Sequence, residues 1–160
     1  MPFRMEIRDA SESELDALAQ LWFDAWNDAH APIVPAELKR VRTKESFRRR
    51  LHAGLDRVRV AGPFGAPIGF SMIKRDELYQ LFVAASARGS GVAAVLIADA
   101  EQRLAANGVT TAWLACAIGN ERAARFYEKH GWRRTGIVVN EAETDAGTFA
   151  LDVWRYEKRL

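Results

Sequence analysis

The chain has 160 residues, 49% of them hydrophobic and 28% charged. That is the composition of an ordinary globular protein, long enough for one domain to bury about two-thirds of its unfolded surface. A net charge of +2 favours no class of partner, and a single cysteine, Cys116, excludes an intramolecular disulfide and a cysteine-cluster metal site. No apolar run reaches the roughly 18 residues of a membrane span, and the opening MPFRMEIRD lacks the apolar core of a signal peptide, so a cytoplasmic protein is expected.

Arg4 to Arg8 alternates Met5 and Ile7 against charged neighbours and predicts a short edge strand. Ser11 and Glu14 form a capping-box pattern, and Leu15, Leu18, Ala19, Trp22 and Trp26 recur at helical spacing, which predicts a helix of about four turns. Its far end, Trp22 to His30, is rich in aromatics, and the prolines at 32 and 35 make the following segment a loop. From Lys39 to Arg50 seven basic residues stand against Glu45 alone. Val41, Phe47 and Leu51 are spaced along one side of a helix, so a solvated basic face is expected, and no aromatic residues interleave as a nucleic-acid platform would need.

Strands are expected at Arg57 to Ala61, Ile68 to Lys74 and Leu78 to Val83, the first two joined through Gly62-Pro63-Phe64-Gly65. A turn at Arg88-Gly89-Ser90-Gly91-Val92-Ala93 then opens a helix with Leu96, Ile97, Ala100 and Leu104 on one face, ended by Asn107-Gly108. Thr110 to Ala117 carries no charge and predicts a buried strand. A helix over Glu121 to His130 precedes strands at Trp132 to Val139 and Thr148 to Tyr156, joined by an acidic loop with Glu141, Glu143 and Asp145.

The glycine turn is the first chemical signal. Unpaired N–H groups and the dipole at a helix start attract an anion, and Gly89 and Gly91 permit close approach and positive φ. A mononucleotide loop would need Lys and Ser or Thr where Val92 and Ala93 stand, and a dinucleotide fingerprint would need a third glycine. The pattern Arg-x-x-Gly-x-Ala after Leu-x-x-Leu-x-Val instead resembles the acetyl-CoA pyrophosphate loop of the GCN5-related N-acetyltransferases, the GNAT superfamily. The segment from Asn120 to Trp132 is similar to that family's Asn-x-x-Ala-x-x-Phe-Tyr-x-x-x-Gly-Phe motif, with Trp132 in place of Phe. Asn120 and Tyr127 are seven residues apart, within about 20° of each other around a helix axis, so both can face one ligand. The order of elements along the whole chain is that of the family as well.

The resemblance implies an α/β (α+β) fold, a mixed, mostly antiparallel sheet of about six to seven strands with about four helices, as a single domain over residues 1–160. It implies acetyl-CoA as co-substrate, no metal, and direct transfer to an amine. Leu81, Phe82, Val83, Arg88, Gly89, Ser90, Gly91, Val92, Ala93, Asn120, Ala123 and Tyr127 would hold acetyl-CoA. Tyr127 matches the position of the family's usual general acid, and a backbone N–H near Phe82 or Val83, beside an expected bulge, would meet the oxyanion. Glu77 resembles the base position of some members and, counted in twos, shares a strand face with Val83; Asp76, Tyr79, His30 and Asp28 are the alternatives. Trp22, Trp26, His30 and Tyr79 are candidates for the acceptor side, Trp22 equally for the core, and the acidic loop would attract a cation.

Ala84-Ala85-Ser86-Ala87 departs from the His-Pro or Asp-Pro pair many members carry, which an amide cradle does not require. Cys116 inside an apolar strand reads as packing, and His52 and His130 as structural. A non-catalytic acyl-CoA sensor is the alternative function, since it would keep the glycine turn and Asn120 without needing Tyr127. Dimers are common in the family, and the sequence names no interface.

Overall fold

The computed structural model describes residues 6–160. Seven strands form one sheet: β1 (Ile7–Asp9), β2 (Val58–Ala61), β3 (Gly69–Lys74), β4 (Glu77–Val83), β5 (Thr111–Ala117), β6 (Arg133–Thr144) and β7 (Gly147–Arg159). Their spatial order is β1-β2-β3-β4-β5-β7-β6, antiparallel throughout except for the parallel neighbours β4 and β5. Five helices flank it: α1 (Leu15–His30), α2 (Ala36–Val41), α3 (Lys44–Ala53), α4 (Val92–Ala106) and α5 (Glu121–Lys129). The α/β architecture and strand count agree with the sequence reading. The N-terminal strand is described from Ile7, and the expected positions Arg4 and Met5 lie outside the described residues.

Two apolar layers sandwich the sheet. Trp22, Phe47, Leu51, Val60, Phe70 and Met72 pack α1 and α3 on one face. Ile73, Leu78, Ile97, Leu104, Leu114, Trp132 and Tyr156 pack α4 and α5 on the other.

Three expectations change. The basic segment is two helices instead of one, because Thr43 caps α3 by accepting from the Ser46 N–H at 3.1 Å while Ser46 Oγ accepts from the Thr43 N–H at 3.1 Å. The final strands run longer than their apolar cores, so Glu141 and Glu143 stand on β6 and only Asp145 occupies the turn. The irregularity in β4 lies earlier than Phe82. Met72 pairs with Gln80 and Ile73 with Leu78, which leaves Tyr79 as the extra residue of a bulge.

The bulge reverses the facing of β4. Leu78 packs toward α4 and α5 before it, while Leu81 and Val83 do so after it. Tyr79 and Phe82 face α1. Glu77, next to Leu78, therefore faces α1 with Phe82 and opposite to Val83, which corrects the count in twos.

The start of α1 is anchored by a buried carboxylate. Glu14, 1% exposed, accepts from Arg8 Nη1 at 2.7 Å and Nη2 at 2.8 Å, from the Gly65 N–H at 3.0 Å and from the Ser11 N–H at 3.3 Å. It thereby ties β1, α1 and the β2–β3 turn together. The Arg8 hydrogen bonds hold its pKa below the ordinary carboxylate value, with the Gly65 amide helping against the cost of burial. A depressed folded pKa means stability that is present above the unfolded value of about 4.3 and lost as pH falls through the folded value. Glu14→Gln should cost about 3 kcal/mol in urea unfolding at pH 7, and the gap to the parent should shrink as pH falls below about 4.

Candidate active site

The parallel pair in the middle of the sheet barely forms. β4 and β5 are paired only at Glu77 and Trp113, supported by the Trp113 N–H donating to the Asp76 carbonyl at 3.1 Å, and beyond Tyr79 the strands diverge. Amides of residues 80–83 that point toward β5 consequently have no strand partner there. The opening holds two cavities.

The larger, about 500 Å³, is walled by Leu81, Phe82 and Val83 of β4, by Arg88, Gly89, Gly91, Val92 and Ala93 of the glycine turn and α4, and by Asn120, Ala123 and Tyr127 of α5. Gly89 and Gly91 have φ of 80° and 87°, and a Cβ at either would meet no protein atom within 4 Å. Both side faces of the turn are thus open, and a left-handed residue at 91 sets α4 off with its first N–H groups free of side-chain caps. All but one of the residues proposed for the co-substrate line this cavity. Ser90 is the exception, because its hydroxyl turns back to donate to the Ala87 carbonyl.

Arg88 and Arg122, both on the cavity wall, share one carboxylate. Arg88 Nη2 pairs with Asp28 at the end of α1, and Arg122 Nη2 reaches the same oxygen at 3.5 Å. Two cations against one carboxylate, with Lys129 nearby in the wall, leave a positive balance beside a helix start. The Arg88 hydrogen bond holds Asp28 below the usual carboxylate range, and Asp28 lines neither cavity. The sequence reading missed Arg122 and Lys129; their spacing of seven within one helix was the available signal.

The smaller cavity, about 150 Å³, lies on the α1 face of the gap. Trp26, His30, Arg42, Glu77, Tyr79, Cys116, Asn120 and Tyr127 are among its walls. It shares Leu81, Phe82, Asn120, Ala123 and Tyr127 with the larger one. Trp22 is absent from both: it is fully buried, stacked on Phe47 at 4.5 Å, and belongs to the core.

Glu77 is half-buried and makes no hydrogen bond or ion pair with the described residues; burial pushes its carboxyl up to about 7, with Asp76 and Glu143 adding to the rise and Lys74 opposing it. A carboxyl so placed can hold or release a proton near neutral pH. Burial drives His30 down to about 4, and its Nδ1 lies 3.2 Å from the Trp26 carbonyl. Asp76 is exposed and accepts from Trp113 Nε1 at 3.1 Å.

Tyr127 has part of its surface open to both cavities, yet its phenol is deep enough that burial raises its pKa well above 10. It stays protonated across the physiological range, which is the state a proton donor needs. Asn120 caps α5 by accepting from the Ala123 N–H at 3.3 Å while still lining both cavities. Cys116 is 4% exposed and burial pushes its thiol up to about 12, the state of an inert packing residue. His130, expected to be structural, packs at a tilt against Phe126 with ring centroids 4.5 Å apart and lines the larger cavity.

Two of the three acidic residues expected in the last loop are neutralised within the chain, and Glu141 stands exposed without an ion pair among the described residues. Glu143 pairs with Lys74, and Asp145 with Arg49. They are not free to attract a cation, contrary to the sequence reading.

Several solved structures share the fold. A GCN5-related N-acetyltransferase from Rhodopseudomonas palustris superposes with a TM-score of 0.78 at 20% identity, covering 99% of this chain and 97% of its own. The PaiA N-acetyltransferase of Thermoplasma acidophilum, in complex with coenzyme A, gives 0.68 at 22% over 99% and 100%. A ribosomal-protein-alanine N-acetyltransferase from Brucella melitensis gives 0.72 at 22% over 97% and 99%. No curated protein matches the sequence significantly. Residues 12–132 match the Acetyltransferase (GNAT) family, and that span contains both the glycine turn at the start of α4 and the Asn120-to-Trp132 segment. The chain belongs to this family of acetyltransferases.

Proposed function

We propose that residues 1–160 act as one N-acetyltransferase domain, passing the acetyl group of acetyl-CoA directly to a primary amine of a small molecule or peptide while both are bound. The observation that carries this reading is the shared wall. Glu77 and Tyr127 both line the small cavity, and Tyr127 is also part of the large one.

Acetyl-CoA fits the larger cavity by its chemistry. The amides of the glycine turn, with Arg88 and Arg122, would hold its pyrophosphate, and the apolar side chains of Leu81, Phe82 and Ala123 would line its pantetheine arm. When bound, it supplies an activated acetyl group and a thiolate leaving group. An alkylammonium with a pKa of about 10.4 must lose a proton before it can attack, and Glu77, ionised above about 7, takes it. As the N–C bond forms and the C–S bond breaks, a β4 amide between Gln80 and Val83 faces the carbonyl oxygen, and Tyr127 gives its proton to the sulfur. The nitrogen sheds a second proton, Tyr127 is reprotonated, and one proton per turnover reaches solvent.

The Tyr127 hydroxyl has no hydrogen-bond partner among the described residues, so Tyr127→Phe removes chemistry and leaves packing. Thiol release on a panel of amines should fall about 10²- to 10⁴-fold in kcat with acetyl-CoA affinity retained. Tight acetyl-CoA binding without turnover on any amine, unaltered by the substitution, would instead identify a sensor.

The kcat/KM of the parent should rise with pH through about 7 as Glu77 ionises. Glu77→Gln should flatten that acidic limb and lower the plateau by at least tenfold; an unchanged limb would exclude Glu77 as the base.

A further inference from the structure

The basic run is sorted by the fold. Arg48 pairs with Asp16 at 2.7 Å and Arg49 with Asp145, while Arg42 and Arg50 turn inward instead of lining a solvated face. Arg42 is 6% exposed and walls the small cavity alongside Glu77, His30 and Tyr79. Its only hydrogen bond to the described residues runs from Nη1 to the Glu143 carbonyl, and its Nε is buried without a partner. No carboxylate among the described residues forms an ion pair with it. Arg50 stacks on Trp22 at 4.5 Å, donates from Nη2 to Tyr79 Oη at 2.8 Å, and likewise has a buried, unpartnered Nε and no ion pair.

A buried guanidinium without a counter-charge is costly to maintain. Burial and the charge of Arg50 push Arg42 down to about 10, and Glu143 and Asp145 oppose this without pairing with it. The carboxylates that would quench it are otherwise engaged: Glu143 by Lys74 and Asp145 by Arg49. Glu77 is half-protonated near neutral pH. The cavity thus presents a buried planar donor at one wall and the proposed base at another, in a volume of about 150 Å³, well below the 300 Å³ or more of a drug-sized pocket.

We propose that the acceptor is a small anionic amine, an amino acid or a close analogue, whose carboxylate or phosphate oxygens are bound by Arg42 while its amine faces Glu77. This rests on the acetyltransferase reading and specifies its substrate class. A fork of N–H donors matches two oxygens in one plane, and a charge-assisted pair of this kind is stronger than a neutral hydrogen bond. A diamine or polyamine would bring a second cation to a wall that already carries the unpaired Arg42.

The test compares matched acceptors by thiol release: phenylalanine with phenethylamine, methionine with 3-(methylthio)propylamine, O-phosphoethanolamine with ethylamine, and putrescine as the dication. The anionic partner of at least one pair should be favoured in kcat/KM about ten- to a hundredfold. The carboxylate and phosphate arms separate the two oxyanions. Arg42→Gln should bring that ratio to about one, mainly through KM. Arg42→Lys, which keeps the charge and loses the fork, should retain an intermediate ratio and covers the case in which Arg42→Gln does not fold. Equal or better use of the uncharged-tail amines or putrescine by the parent overturns the proposal, as does a preference that survives in both variants. Acetyl-CoA binding without turnover on any amine rejects the underlying reaction, and the proposal with it, and is distinguishable from those results.

Discussion

The site exists because two neighbouring parallel strands are paired at one position and then part. A sheet normally completes its backbone hydrogen bonds, and an interior gap is tolerated only where something else fills it. Here the antiparallel pairings β3–β4 and β5–β7 hold the two strands in place from their outer sides, over six and seven register pairs respectively. The single Glu77–Trp113 pair then acts as the apex of a wedge. Both cavities open from that wedge, and α5 crosses it so that Asn120 and Tyr127 border both.

Charge around the wedge is arranged in two zones. On the co-substrate side, Arg88 and Arg122 converge on Asp28 at the end of α1, beside the α4 N-terminus. On the side of the smaller cavity, the last hairpin supplies Glu143 and Asp145 to Lys74 and Arg49, leaving Arg42 and Arg50 without carboxylates. α1 connects the zones, carrying Asp28 to the first and Trp26 and His30 to the second, and its other end is fixed by Glu14. The surface left to the basic run is smaller than its residue count implies, with Lys39 and Arg40 the fully exposed, unpaired members.

What was legible in the sequence was what is local. The glycine turn, the Asn120-to-Trp132 segment and the strand order depend on residues adjacent in the chain, and all lie where the spacing puts them. What was illegible depends on pairing across the sheet. Nothing in ELYQLFV marks Tyr79 as the extra residue, because the bulge is defined by what Met72 and Ile73 do opposite it. The split of the basic helix did leave a mark, a Thr three residues before a Ser, which the placing of Val41, Phe47 and Leu51 on one helix side outweighed. Arg42 sits at that break, where it leaves the solvent face and enters the wall of the smaller cavity. Glu141 and Glu143 resembled a loop because β6 is half exposed, so its polar residues carried no strand period that composition alone would separate from a turn.

The bulge makes length, as well as composition, a determinant of β4. Side chains alternate sides along a strand, so an extra residue exchanges the two surfaces beyond it unless a bulge absorbs it, as happens at Tyr79. With Tyr79 removed and the Gly69–Val83 register kept, Leu78 would follow Gln80 in simple alternation, so Leu78 would stay in the layer of Ile97 and Leu104 and Glu77 on the side of Arg42 and His30. The same seven residues paired regularly, with Tyr79 kept in the ladder, would instead carry Glu77 to the side of Leu81 and Val83. Substitutions at position 79 are thus a different experiment from a deletion there, since a replacement side chain alters a wall of the smaller cavity whereas a deletion removes the bulge and leaves Glu77 on its side.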